Sequence, residues 1–153
     1  MTSPKTNATR SATITITTKQ IGDGGEYLVA GLLTLGGTPT TKMLDNQPGF
    51  DLIALPIDGR PPQRVSVKTA RSKSVWIAYK LSDQFEWLAI VLVGSPHRVF
   101  VIPRTVADQR QSSSKPTSKF SMGRFCDSKN VPKLYPEFEN NFKLDPNQAR
   151  KRA

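Results

Sequence analysis

The chain has 153 residues, with 22 Lys and Arg against 12 Asp and Glu, a formal charge of +10 and a pI near 10.1. That length suits one compact domain with unstructured ends, and the positive field favours polyanions, nucleic acid first among them. A single cysteine, Cys126, excludes an intramolecular disulfide and a cysteine-rich zinc site and points to a reducing, cytoplasmic setting, while the longest apolar run, residues 87–93, falls far short of the roughly 20 residues of a membrane helix.

Residues 1–11 read as an unstructured arm, and residues 12–18, with alternating Ile14 and Ile16, as an edge strand or, preferably, a lead-in to the first helix. No apolar signal-peptide core occurs there, so export is not expected. Over residues 20–35, Tyr27, Leu28, Val29, Leu32, Leu33 and Leu35 form a helical stripe that Gly36 and Gly37 stop. Glu26 falls near its start, where the macrodipole favours an acid, and Gly22-Asp23-Gly24-Gly25 reads as its lead-in. That glycine run lacks the Lys-Ser/Thr ending of a phosphate-binding loop, so nucleotide hydrolysis is not expected.

Strands are expected at residues 39–44, 50–57 and 63–70, an antiparallel meander behind the helix with a turn at residues 58–62. Residues 75–80 suit another short strand, and 81–86 a turn or a vestigial helix. The apolar run 87–93 suits a buried central strand, and residues 98–102 one that pairs back on it. A short helix is expected at 105–109, a flexible loop at 111–118 and an irregular remainder, with Tyr135, Phe138 and Phe142 docking it on the core and Arg150 to Arg152 as a basic tail. The organisation is thus an arm (1–18), a core (19–110) and a loop with a basic extension (111–153).

Two segments carry chemistry. Gly49-Phe50-Asp51-Leu52-Ile53-Ala54 and Val65-Ser66-Val67-Lys68-Thr69 set a carboxylate and a lysine on neighbouring strands, an arrangement on which a Mg²⁺-assisted phosphodiester-cleaving site can be built. Period-two alternation puts Ser66 and Lys68 on one side of their strand.

Taken with Gly25-Glu26-Tyr27-Leu28-Val29 upstream, the order of these motifs resembles the PD-(D/E)XK nuclease superfamily, close to small prokaryotic and intron-associated endonuclease-like proteins, across most of residues 19–104. The resemblance implies an α/β, restriction-endonuclease-like core, an N-terminal helix packed on a central mixed sheet in the order αβββ(α)ββ. It implies Mg²⁺, or Mn²⁺ in its place, held by Asp51 and Glu26 with the Val67 carbonyl, and Lys68 stabilising charge on the phosphate or positioning the attacking water. The implied activity is that of an endonuclease on DNA, often as a homodimer, without an organic cofactor. Ser66 departs from the pattern: the position two before the lysine usually carries Glu or Asp, and in this subgroup often Gln. A neutral hydroxyl is a weaker donor to a hard cation, so an inactive, nucleic-acid-binding version of the fold is the alternative reading.

No acid lies between Asp58 and Asp83, while Arg60, Arg64, Lys68, Arg71, Lys73 and Lys80 accumulate there, a set suited to salt-sensitive phosphate contacts. Trp76 and Tyr79 interleave with them and suit either stacking on unpaired bases or, the preferred reading, the core. His97, in a turn without a partner motif, reads as a surface residue. A third reading is a basic RNA- or ribosome-associated protein.

Overall fold

The computed structural model describes residues 14–45, 49–71, 74–113 and 123–148; Lys73 and the basic tail lie outside them. Residues 14–17 are an exposed lead-in rather than a strand. Helix α1 (Thr18–Leu35) opens on a reciprocal cap: the Gln20 N–H donates to Thr17 Oγ1 at 3.2 Å, and the Thr17 N–H donates to Gln20 Oε1 at 2.8 Å. The glycines read as a lead-in therefore lie inside the helix, although each costs about 1 kcal/mol there relative to alanine. Gly25 has a packing reason, since a Cβ on it would lie 1.9 Å from Thr69 Oγ1. Glu26 is consequently mid-helix and not a first-turn acid, so the macrodipole does not explain it.

The main sheet runs β1 (Thr40–Lys42), β2 (Leu52–Ala54), β3 (Gln63–Ala70), β5 (Trp87–Leu92), β6 (Arg98–Pro103), with β1 and β2 shorter than the sequence suggested. Pro56 follows closely on β2 and has no N–H to extend the ladder. β1, β2 and β3 form the antiparallel meander, β3 and β5 pair in parallel from Val65↔Trp87 to Ala70↔Leu92, and β6 returns antiparallel. β3 and β5 each have neighbours on both sides, which is why β5 reads as an almost unbroken apolar run.

A second sheet was only partly foreseen. β4 (Trp76–Lys80) pairs with β8 (Gly123–Asp127), and β8 with β7 (Ser112–Ser113), so the loop and the irregular extension both supply strands. Helices α2 (Arg104–Arg110) and α3 (Val131–Leu134) follow β6 and β8, and residues 81–86 form a turn and bends.

Alternation on β3 and β5 divides the interior into two cores. On one face Val65, Val67, Ala89 and Val91 meet Val29 and Leu33 of α1. On the other, Leu88, Ile90, Phe100 and Ile102 meet Ile77, Tyr79 and Cys126 of the small sheet and Val131, Tyr135 and Phe138 beyond it. The result is three layers: helix, main sheet, small sheet with its short helices. Tyr79 is core as expected, 4% exposed, but Trp76 is 58% exposed, which corrects the core reading for it. Its position on β4 is two from Ala78 and three from Tyr79, hence on the outer face. No described helix is long and apolar enough to cross a membrane.

Candidate active site

Asp51 precedes β2 by one residue and is still held by its backbone: its N–H donates to the Val65 carbonyl at 2.9 Å, and its carbonyl accepts the Met43 N–H at 2.8 Å. With the main chain fixed, Oδ2 accepts the Val67 N–H at 2.6 Å. An extended residue points its N–H and C=O to the same side, so the Val67 carbonyl leaves β3 on this same edge, where β2 has not yet begun. The Asp51 carboxylate thus lies beside a backbone oxygen at an open notch in the sheet.

Glu26 comes to the same place from α1. It and Asp51 line one cavity of about 410 Å³, together with Lys19, Asp23, Lys42 and Asp45. Lys42, from the end of β1, stands among the acids: its Nζ is 3.0 Å from Glu26 Oε2, 3.1 Å from Asp45 Oδ1 and 3.9 Å from Asp23 Oδ1. Hydrogen bonds to Glu26 and Asp45 raise the Lys42 ammonium well above its usual pKa, so it is a fixed cation. Lys19 bonds Asp23 at 2.9 Å and Asp45 at 3.3 Å. The hydrogen bonds from Lys42 and then Lys19 hold Asp45 below the usual carboxylate range. With Asp23, Glu26, Asp45 and Asp51 against Lys19 and Lys42, the cavity keeps an excess of negative charge.

Ser66 and Lys68 lie on the sheet face turned away from α1, as the alternation of β3 dictates: Val65 and Val67 join the helix-side core, and Ala70 the opposite one. Ser66 is 4% exposed. Lys68 is half-buried, makes no ion pair among the described residues, and is not part of the cavity lining. Glu26 and Asp51 are therefore brought together, with Lys68 one residue along from the carbonyl beside them.

The basic residues divide. Arg64 is engaged by Glu86 through its backbone N–H at 2.6 Å and its guanidinium, and Arg60 by Asp58 and the carbonyls of Leu144 and Lys143. Among the described residues Arg71 bonds the Ile16 carbonyl alone, at 3.4 Å, and Lys80 is exposed without an ion pair. His97 Nδ1 accepts the Gly94 N–H at 3.0 Å, a turn contact.

Lys19, Asp23, Lys42 and Asp45 escaped the sequence reading. One signal was present: Lys19, Asp23 and Glu26 are spaced i, i+4, i+7, one face of α1.

The sequence matches no family profile and no curated protein. The structure is similar to that of a bacterial homing endonuclease, with TM-score 0.57, 16% identity, and coverage of 90% of this chain and 99% of that one. The fold is restriction-endonuclease-like. Hjc, a Holliday junction resolvase of Archaeoglobus fulgidus, superposes with TM-score 0.45 and 13% identity over 72% of this chain and 90% of the other.

The donors around the notch suit a small hard cation. Two carboxylates and a backbone carbonyl are all oxygen, and Mg²⁺ is usually held by one or two carboxylates with water and substrate phosphate completing its shell. Among the described residues no three Asp, Glu, His or Cys side chains gather as a ready ligand set.

Proposed function

We propose that this restriction-endonuclease-like domain binds DNA and hydrolyses its phosphodiester backbone with Mg²⁺, or Mn²⁺ in its place, as an endonuclease. The observation that carries the reading is that Glu26 and Asp51, distant in sequence, line one cavity, with the Asp51 carboxylate bonded to the Val67 backbone of the neighbouring strand. Asp51, Glu26 and the Val67 carbonyl would hold the ion, which supplies Lewis-acid activation of the phosphate and a more acidic water. The Val67 N–H orients the Asp51 carboxylate and leaves its other oxygen for the cavity. Lys68, on its four-carbon stem, would set a positive charge against the phosphate as negative charge develops. Arg71, Lys73 and Lys80 would contact flanking phosphates, giving binding without base specificity, and cleavage of both strands would call for a homodimer.

A second reading, the same fold as a non-cutting nucleic-acid-binding module, has its own observation. Lys42 already pairs with both Glu26 and Asp45, and Ser66 supplies no carboxylate. Supercoiled plasmid incubated with Mg²⁺, Mn²⁺ or EDTA separates the two. Metal-dependent nicking lost in Asp51→Asn and Lys68→Met supports the nuclease; tight binding without nicking under every metal supports the module.

A further inference from the structure

The outer face of the small sheet has no layer over it among the described residues, and its side chains follow from the register. Pairing of Trp76↔Asp127, Ala78↔Phe125 and Ser112↔Phe125 places Trp76 and Ala78 of β4, Phe125 of β8 and Ser112 of β7 on one surface. Trp76 and Phe125 meet edge to face, centroids 5.4 Å apart and planes at 77°. That contact holds the indole in one orientation while leaving 58% of the residue exposed. Beside the pair lies a groove of about 570 Å³, which falls within the roughly 300–1,000 Å³ of ordinary ligand sites.

The rim of this groove is cationic. Lys129 and Lys133 line it, and Lys133 makes no ion pair among the described residues. Lys80 extends the charge along β4, exposed and likewise without an ion pair. The acid in the groove, Asp127, is already occupied. It accepts from Ser74 Oγ at 2.7 Å and from the Lys129 N–H at 3.1 Å, bonds that, the one from Ser74 first, hold it below the usual carboxylate range, and the Lys129 ammonium stands 3.7 Å from it as an ion pair. Arg110 is spent on Glu137 and the Leu134 carbonyl at 2.7 Å. What the face offers is therefore an immobilised aromatic plane and two lysines without an ion pair among the described residues, Lys133 and Lys80, while Lys129 balances the charge of Asp127.

We infer that this face binds an unpaired nucleic-acid strand, with a base stacked on Trp76 and the adjoining phosphates against Lys133 and Lys80. A flat apolar patch alone would fit a protein partner equally well. The surrounding positive charge on a chain of net +10 selects a polyanion, and the exposed indole selects one carrying planar rings. Duplex DNA, whose bases are stacked inside, offers nothing to the indole, so this surface has a substrate preference of its own. It requires no cleavage chemistry.

The two tryptophans make the test direct. Trp87 is 3% exposed, so the accessible emission is that of Trp76. With EDTA present, so that cutting has no part, oligothymidylate and oligouridylate are titrated against the full chain, with a duplex as comparison. Stacking quenches the Trp76 emission with the single strands and not with the duplex; the two single strands distinguish a DNA from an RNA ligand. Binding of a labelled oligonucleotide, followed by anisotropy, weakens at least about fivefold in Trp76→Ala and less in Trp76→Phe, which keeps a ring. In Lys80→Gln/Lys133→Gln the slope of log affinity against log salt falls by about 1.4. Unchanged emission with both single strands, or Trp76→Ala binding them as tightly as the parent, overturns the inference whatever the plasmid assay shows.

Discussion

Asp51 has two jobs in this structure, and substitution can separate them. Its Oδ2 accepts the Val67 N–H at 2.6 Å, and Val67 is only 8% exposed, so little water replaces a lost acceptor. Asp51→Ala leaves that N–H unpaired, a cost of about 1–3 kcal/mol. At roughly 2–4 °C per kcal/mol for a domain of this size, the melting temperature falls by about 2–12 °C. Asp51→Asn keeps a side-chain oxygen for the N–H and loses the charge, so its melting temperature falls by less than half as much. Both remove the carboxylate from the proposed ion site and abolish metal-dependent nicking. The loss exceeds the roughly 10–100-fold typical of losing a mere supporting partner to a metal ligand. Differential scanning calorimetry, Mn²⁺ binding by calorimetric titration and plasmid nicking, run on both variants, read the two jobs independently. If Asp51→Asn binds Mn²⁺ and nicks plasmid like the parent, Asp51 is a structural clamp and the site assignment is wrong.

Lys42→Met removes the ammonium that shares Glu26 and Asp45, so Mn²⁺ is expected to bind severalfold more tightly; weaker binding would show that Lys42 organises the acids instead of competing for them. Gly25→Ala drives a methyl into Thr69 Oγ1, at a cost of about 1–3 kcal/mol in urea unfolding, and Thr69→Ala should recover much of it because that hydroxyl has no hydrogen-bond partner among the described residues. Burial of Glu86 would raise its pKa, but the hydrogen bonds and charge of Arg64 outweigh it and the carboxyl is lowered from 4.5. A lowered acid stabilises the fold above its unfolded pKa and loses that contribution as pH falls through the folded value. Stability measured downward from pH 5 should therefore decline less steeply in Glu86→Gln. Arg64→Ala breaks the same pair and is expected to lower stability more than DNA affinity, which paired unfolding and binding curves would reveal.

Where the sequence spoke clearly, local pattern and tertiary burial imposed the same demand. Residues 63–70 were recognisable as a strand to the residue because Val65 and Val67 face one core while Ala70 faces the other. The Leu28, Val29, Leu32 and Leu33 part of the α1 stripe was readable for the same reason, whereas Tyr27 and Leu35 of the expected stripe are exposed, and Tyr79, Glu26 and Asp51 were readable as residues of interest. Tertiary structure decided the rest. The glycines of α1 argue locally against a helix, and the Thr17–Gln20 cap with packing at Gly25 overrides them. β8 shows no strong alternation of its own and becomes a strand through its ladder to β4, a pairing across more than 40 residues of chain. Trp76 and Tyr79 look interchangeable in sequence, yet register sends one to solvent and the other inside. Lys42 is one lysine among many until α1, β1 and the following loop converge on it. Sequence determines which side chains a face can carry; only the closing of long-range contacts determines which charges stand within bonding distance, because Coulomb and hydrogen-bond terms depend on separations that no local pattern encodes.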